Sequence, residues 1–365
     1  MRILVWLEKS EVCGGIEVFA ERHVAQLRAE GHDVEVASGF SHKERRGRKD
    51  GAALCDLCVL CGENAIAIDA FDEIVVHKCT DVATLEKFPP EKTVYYVHDH
   101  EPICPRGYAY TPLKRNCTRA GGVWPCIFCA PACRSWKAAL GRVFSQKRRI
   151  AAISKFSKVV VISEFMKSRL VANGIPAKKV EVRPPVIRVD GTAGTIGTDG
   201  TDGAGKTVPT PLATACAARF ARGIRSPFPV PPIDLLYVGQ LIRGKGVQLL
   251  LEAMARMKAK RTLDIVGTGN MEGELRAIAA RLGLSDRVRF NGFQKNPQEW
   301  MRRAACVVVP SFWQEPYGLV AAEAVALGRK VVAFAIGGLP EACRGKATLV
   351  PPGDVAALAE ALELP

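Results

Sequence analysis

The sequence predicts an α/β protein made of two doubly wound domains, each a parallel sheet covered by helices on both faces. Three observations carry this. Short runs rich in Val, Ile, Leu and Tyr alternate with longer stretches of helical period along both halves of the 365-residue chain. The short runs are apolar throughout rather than at every second position, which suits strands buried on both faces. Residues 188–232, rich in Gly, Thr, Asp and Pro, break the alternation once, so the βα scheme occurs twice. The expected division is residues 1–187, a linker or insertion over 188–232, and residues 233–365.

Taken in order, "RILVWL" reads as the first strand. "GGIEVFAERHVAQLRAEGH" follows as an amphipathic helix, with Val18, Phe19, Val24 and Leu27 on one side and Gly31 as its stop. "DVEVAS", "EIVVH", "TVYYVH" and "KVVVIS" complete the strands of the first half. In the second half the strands are "DLLYVG", "TLDIVG", "RVRFNG", "CVVVP" and "KVVAFA", with helices such as "VQLLLEAMARMKA" and "LVAAEAVALG" between them.

Within the linker, "GTDGAGKT" (200–207) matches a phosphate-binding P-loop letter for letter. That loop works only between a buried strand and a helix N-terminus. Here no strand pattern precedes Gly200, and Pro209 and Pro211 stop a helix from starting at Thr207. The match is read as a by-product of a Gly-Thr-rich repeat.

The stretch "PSFWQEPYGLVAAEAVALGRKVVAFAIGGLPE" (310–341) carries more. It follows a buried strand, so its loop lies at a carboxyl end, where open α/β sheets bind ligands. Gly318 turns the chain into a helix whose first amides (Gly318, Leu319, Val320) lack intrahelical partners and suit an anion or a sugar hydroxyl. Glu315 precedes that helix and Glu323 lies within it, with seven residues between them. A carboxylate accepts two hydrogen bonds and so suits a ribose diol; taken singly, each glutamate reads equally as a solvated side chain. "YVGQLIRGKGVQLLLEA" adds a glycine-rich loop bearing Arg243 and Lys245, cations suited to a diphosphate. "IVGTGNMEGELR" repeats strand, glycine turn and helix.

As an ordered set, these residues resemble the retaining glycosyltransferases of family 4 (glycosyl transferases group 1), with the GT-B fold of two Rossmann-like domains facing across a cleft. Gly14-Gly15 is similar to the family's N-terminal glycine pair, "YYVHDHEPICPRG" to the stretch holding its active-site histidine (here His98), and "VVVISEFMKSRL" to its last N-domain strand and helix. "VGQLIRGKG", "IVGTG" and "EPYGLVAAEA" match the C-domain series. The likeness runs through nearly all of the chain outside the linker. It implies that Lys245 and the amides of Gly318, Leu319 and Val320 neutralise a donor diphosphate. Glu323 would hold the ribose and Glu315 the donor sugar. His98 would contact that sugar from the N-domain, making His98 and Glu315 the catalytic pair. Gly14 and Gly15 would let the backbone approach the reacting centre. Gln240 stands where many members have arginine, and Arg243 is the candidate to replace that charge. The implied reaction is transfer of a hexosyl unit from a UDP- or GDP-linked sugar to a glycan or lipid-linked acceptor. It would proceed by front-face substitution with no catalytic metal, and no DxD-type carboxylate pair stands in the sequence to bind one.

Two further signals stand apart. Cys104, Cys117, Cys126, Cys129 and Cys133 cluster after His98. Cys117, Cys126, Cys129 and Cys133 could supply four ligands to a structural zinc, and buried thiols are the other reading. "CDLCVLC" (Cys55, Cys58, Cys61) reads as a buried strand. "RSWKAALGRVFSQKRRIAAISKFSK" (134–158) holds eight Lys/Arg and no acid. Trp136, Leu140, Val143 and Phe144 form its apolar stripe, so it reads either as a helix lying on an anionic membrane, assisted by the basic loop 41–49, or as a packing helix. The formal charge of +14 favours anionic partners. Charge alone would also suit a nucleic-acid binder, but no stacking platform or binding module accompanies it. A nucleotide-sugar epimerase on the same fold is the remaining alternative. The N-terminal apolar run, cut by Glu8, Lys9 and Glu11, is too short and acidic for a signal peptide. The expected location is cytoplasmic, at the inner face of a membrane.

Overall fold

The computed structural model describes residues 1–9, 15–40, 67–104, 116, 117, 126, 136–187, 189 and 232–363. The P-loop-like stretch, the basic loop 41–49, "CDLCVLC", Gly14, Cys129 and Cys133 lie outside these residues. The chain divides into two compact units, Met1–Pro185 and Val186–Pro365.

The first unit runs β1 (Arg2–Lys9), α1 (Gly15–Ala29), β2 (Asp33–Phe40), β3 (Glu73–Lys78), α2 (Val82–Leu85), β4 (Thr93–Val97), α3 (Trp136–Lys155), β5 (Lys158–Val161), α4 (Glu164–Ala172) and β6 (Val180–Val182). Its strands form one parallel sheet in the order β2-β1-β3-β4-β5-β6. Successive side chains point to opposite faces of a strand, and two cores result. Leu4, Trp6, Val76, Tyr95 and Val97 pack with Ile153 and Phe156 of the α3 segment on one face. Ile3, Val5, Val75 and Tyr96 pack with Val24 and Leu27 of α1 on the other. Ser163 caps α4, its Oγ accepting from Met166 N–H at 3.1 Å.

The second unit runs β7 (Ile233–Val238), α5 (Val247–Arg256), β8 (Leu263–Val266), α6 (Glu272–Arg281), β9 (Val288–Phe290), α7 (Pro297–Arg303), β10 (Ala304–Val309), α8 (Leu319–Ala326), β11 (Lys330–Phe334), α9 (Leu339–Cys343), β12 (Thr348–Val350) and α10 (Val355–Glu363). Its parallel sheet has the order β12-β11-β10-β7-β8-β9. Again two cores sandwich the sheet, one around Leu235, Tyr237, Leu251 and Leu358 and one around Leu236, Val307, Ala321 and Leu339.

Every strand read within the described residues is present, while the strand read at "CDLCVLC" lies outside them; among the described strands two were missed, β6 and β12, each an edge strand of three residues. The strand of "VVVISEFMKSRL" is therefore not the last of its unit, since β6 follows and pairs with β5, whereas α4 is the last α-helix described there. The apolar stripe of α3 also divides. Val143 is buried in the unit, whereas Leu140 and Phe144 are 36% and 55% exposed. Residues 140 and 144 share one ridge of a helix, and residue 143 points about 100° away from 144. Among the described residues, no helix is long and apolar enough to cross a membrane.

Candidate functional site

In the second sheet, β7-β8-β9 extend to one side and β10-β11-β12 to the other, so the strand order reverses between β7 and β10. Loops leaving the carboxyl ends of such neighbours diverge and open a crevice. Here the β7 loop (239–246) and the β10 loop (310–318) are joined at their bases. Gly244 C=O accepts from Phe312 N–H at 3.1 Å and from Trp313 N–H at 3.2 Å. A Cβ on Gly246 would lie 1.8 Å from the Pro310 oxygen, and its φ is +75°. Only glycine satisfies both conditions.

This joint sets Lys245 against Glu315. Lys245 Nζ donates to Glu315 Oε1 at 2.5 Å, Ser311 Oγ donates to the same oxygen at 2.7 Å, and the ammonium lies 5.1 Å from the centre of a Trp313 ring. Glu315 is 7% exposed. Burial works to raise its carboxyl pKa, but the Lys245 charge and the hydrogen bonds it receives outweigh this and hold it below the usual range. The β11 loop secures the backbone of Glu315. Gly338 N–H donates to its carbonyl at 2.7 Å, and a Cβ on Gly337, whose φ is +60°, would fall 2.4 Å from that oxygen.

Gly318 is the N-cap of α8. The first bond of the helical ladder runs from Ala322 N–H to Gly318 C=O at 3.1 Å, so the amides of Gly318, Leu319 and Val320 precede the ladder. Such amides carry the positive end of the helix dipole. Glu323 lies on α8, half-buried. Gln240 is exposed, and its backbone carbonyl accepts from the Tyr237 hydroxyl at 2.9 Å. Arg243 is not a solitary cation: its Nη2 sits 2.9 Å from both carboxylate oxygens of Glu274 on α6, with both side chains largely exposed. That pairing divides the charge proposed to stand in for Gln240.

In the first unit the strand order reverses between β1 and β3. Gly15 opens α1 beyond β1, and His98 follows β4 directly. His98 lines a small cavity with His77, Lys78, Asp99, Glu101 and Arg149. Burial, reinforced by neighbouring positive charge, lowers the His98 pKa to about 3, and burial raises that of Asp99. Burial thus favours the neutral ring of His98. His98 Nε2 is 3.0 Å from His77 Nδ1, and His77 Nε2 is 3.0 Å from His23 Nδ1.

Of the four cysteines weighed as zinc ligands, Cys117 and Cys126 are described, both as unbridged, half-buried thiols. Among the described residues, no group of three or more His, Cys, Asp or Glu is arranged to hold a metal ion.

Sequence reasoning found Lys245, Glu315 and His98 but missed Ser311, Trp313, Gly337, Gly338 and Glu274. The Gly-Gly pair stands in plain view in "AIGGLPE" and is a signal of close backbone approach. Nothing local marks Glu274 as the partner of Arg243, 31 residues away.

Two features thus define the second unit: a reversal in strand order, and a lysine–glutamate pair whose glutamate precedes a helix N-cap by three residues. Residues 232–364 match the family model of glycosyl transferases group 1, and this unit is a domain of that family. The chain is 36% identical over 161 residues to the D-inositol 3-phosphate glycosyltransferase of Streptomyces coelicolor, covering 40% of this chain and 35% of that one. It is 38% identical over 153 residues to the glycogen synthase of Mycobacterium tuberculosis, covering 40% and 36%. The chain thus spans about a third of the length of the curated relatives it matches. Among solved structures, Anabaena HepE in complex with UDP superimposes with a TM-score of 0.60 at 19% identity, covering 99% of this chain and 89% of that one. WaaG, a glycosyltransferase involved in lipopolysaccharide biosynthesis, gives 0.58 at 17%, covering 99% and 90%. The fold is that of the GT-B glycosyltransferases.

Proposed function

We propose that the chain is a retaining glycosyltransferase that moves a hexosyl unit from a UDP- or GDP-linked sugar to a glycan or glycolipid acceptor. The observation that carries this reading is the joint between the β7 and β10 loops, which holds Lys245 against Glu315, the residue three positions before the N-cap of α8. Departure of a nucleoside diphosphate builds negative charge on phosphate, and a fixed ammonium with aligned amides stabilises it without reorganisation. In this reading Lys245 and the amides of Gly318, Leu319 and Val320 receive the diphosphate. Glu323 takes the ribose diol. Glu315, kept ionised by Lys245, accepts from hydroxyls of the transferred sugar. HepE, crystallised with UDP, lends weight to uridine as the base.

The test is thermal unfolding with UDP, GDP and their sugars. A ligand at 100 times its Kd stabilises by about 2.7 kcal/mol. A clear rise in melting temperature with one nucleotide, abolished by Glu323→Ala, is expected. An equal rise in that variant removes Glu323 from the site, and no rise with any nucleotide sugar overturns the reading.

We further infer that α3 rests on an anionic lipid surface at the cytoplasmic face of a membrane, bringing the enzyme to a lipid-linked acceptor. Support comes from Leu140 and Phe144, exposed on one ridge, beside exposed Lys147. Arg148, 2.6 Å from Glu86, is partly neutralised. Each unpaired cation adds about 1 kcal/mol near such a surface. Flotation with vesicles containing phosphatidylserine, but not with neutral ones, is the expected result; equal recovery with both overturns it.

A further inference from the structure

The imidazoles of His23, His77 and His98 form a continuous chain, and its polarity can be read from one end. Arg183 Nη1 donates to the Tyr96 hydroxyl oxygen at 3.2 Å. A guanidinium has no acceptor, so this end is fixed. Tyr96 Oη lies 3.4 Å from His23 Nε2. With Arg183 occupying a lone pair, the hydroxyl proton goes to that nitrogen. His23 then carries its proton on Nδ1 and donates to His77 Nε2, 3.0 Å away. By the same step His77 carries Nδ1–H and donates to His98 Nε2, also at 3.0 Å. The opposite order would make Tyr96 accept from both Arg183 and His23, leaving its own proton with no acceptor among its described partners.

The scaffold is built to hold this chain. His23 comes from α1, His77 from the end of β3, and Tyr96 and His98 from β4 and the residue after it. Between β1 and β3 the pairing steps from Trp6↔Val76 to Leu7↔Lys78, so His77 is the extra residue of a β-bulge. Bulges re-aim a side chain at the rim of a sheet. His77 is 1% exposed and Tyr96 4%. The contacts of His77 diverge to two different rings, which is the geometry of a relay and not of a metal centre. Burial disfavours the charged form of all three histidines, in keeping with a chain of neutral rings.

We propose that Arg183, Tyr96, His23 and His77 are positioning residues that lock His98 in its Nδ1–H tautomer. The other nitrogen of a histidine sets which one bears the proton. His98 therefore presents an N–H donor at Nδ1 and cannot act as a base there. Resting on the proposed transferase reading, this makes His98 a donor to a ligand hydroxyl oxygen in the first unit, with no part in removing the acceptor's proton.

The experiment is long-range ¹H–¹⁵N correlation on the full chain labelled at histidine, at neutral pH and without ligand. Nδ1–H patterns for His23, His77 and His98 are expected. An Nε2–H or imidazolium pattern for His98 overturns the proposal. His77→Gln supplies an acceptor and a donor with similar spacing and should keep His98 as Nδ1–H, whereas His77→Phe should release it to Nε2–H. An unchanged pattern in His77→Phe overturns the lock. If that variant fails to fold, Arg183→Met, at a half-exposed position, serves instead: loss of a single Nδ1–H form at His98 supports the chain, and its persistence overturns the assigned polarity. No substrate is present, so a protein without transferase activity but with Nδ1–H at His98 sinks the functional reading and leaves this one standing.

Discussion

The two units reach their candidate sites from the same sheet geometry but with opposite chemistry. The second unit places charge at the reversal in strand order: an ion pair, a helix tip and glycine-tight loops. The first places neutral, mutually bonded rings at the end of its sheet. In the second unit the side chains are set by backbone contact, since Gly244, Gly246, Gly337 and Gly338 bring whole loops together. In the first they are set by side chains gripping one another across α1, β3 and β4. The lesson is that a charged pair can be seated by joining two backbone loops, whereas a tautomer requires every ring to be oriented.

Breaking the backbone joint has the largest expected effect. Gly246→Val combines a collision with Pro310 and a left-handed φ, and should destabilise the second unit by about 3 kcal/mol or more. Urea unfolding followed separately in the two units should move only the second. Next comes Lys245→Met, which leaves Glu315 buried without its counter-ion. A cost of about 3 kcal/mol is expected, and the Glu315 carboxyl should rise above its usual range, read by ¹³C-detected titration.

Acid distinguishes the units on a smaller scale. The pKa of His23 is lowered to about 4 by burial and by Arg183. Below the unfolded value of about 6.5 the unfolded chain binds the proton first, so stability contributed by the neutral ring falls as pH drops towards 4. Buried Glu8 and Asp99, whose carboxyls are raised by burial, return part of that loss. Between pH 7 and pH 5 the first unit of His23→Gln should lose about 1 kcal/mol less than wild type, measured by urea titration at each pH. Equal losses would show that His23 is not kept neutral. Smallest is Phe144→Ser, expected to change stability by less than about 0.5 kcal/mol while reducing vesicle recovery several-fold.

The comparison also explains what could be read from the letters. The second unit's candidate residues lie in short contiguous stretches, so "GQLIRGKG" and "EPYGLVAAEA" singled out Lys245 and Glu315, which the structure pairs, along with Glu323. Strand existence was legible because both-face burial makes runs such as "EIVVH" uniformly apolar. Edge strands β6 and β12, three residues long with half-open faces, leave no such run. The chain behind His98 was invisible, because Arg183 and Tyr96 are 87 positions apart and His23 and His77 are 54 apart. His23, His77 and Tyr96 had been read only as part of a helix or strand, and Arg183 follows the missed strand β6. Val143 was placed with the wrong neighbours because an apolar residue's direction depends on where the sheet lies, which periodicity alone does not fix.

The bulge at His77 has a genetic corollary. Since β1 passes from Val76 to Lys78 without needing the residue between them, removing that single codon would leave a regular ladder. A sheet that is intact, or even tidier, without one of its amino acids marks that amino acid as kept for something other than architecture.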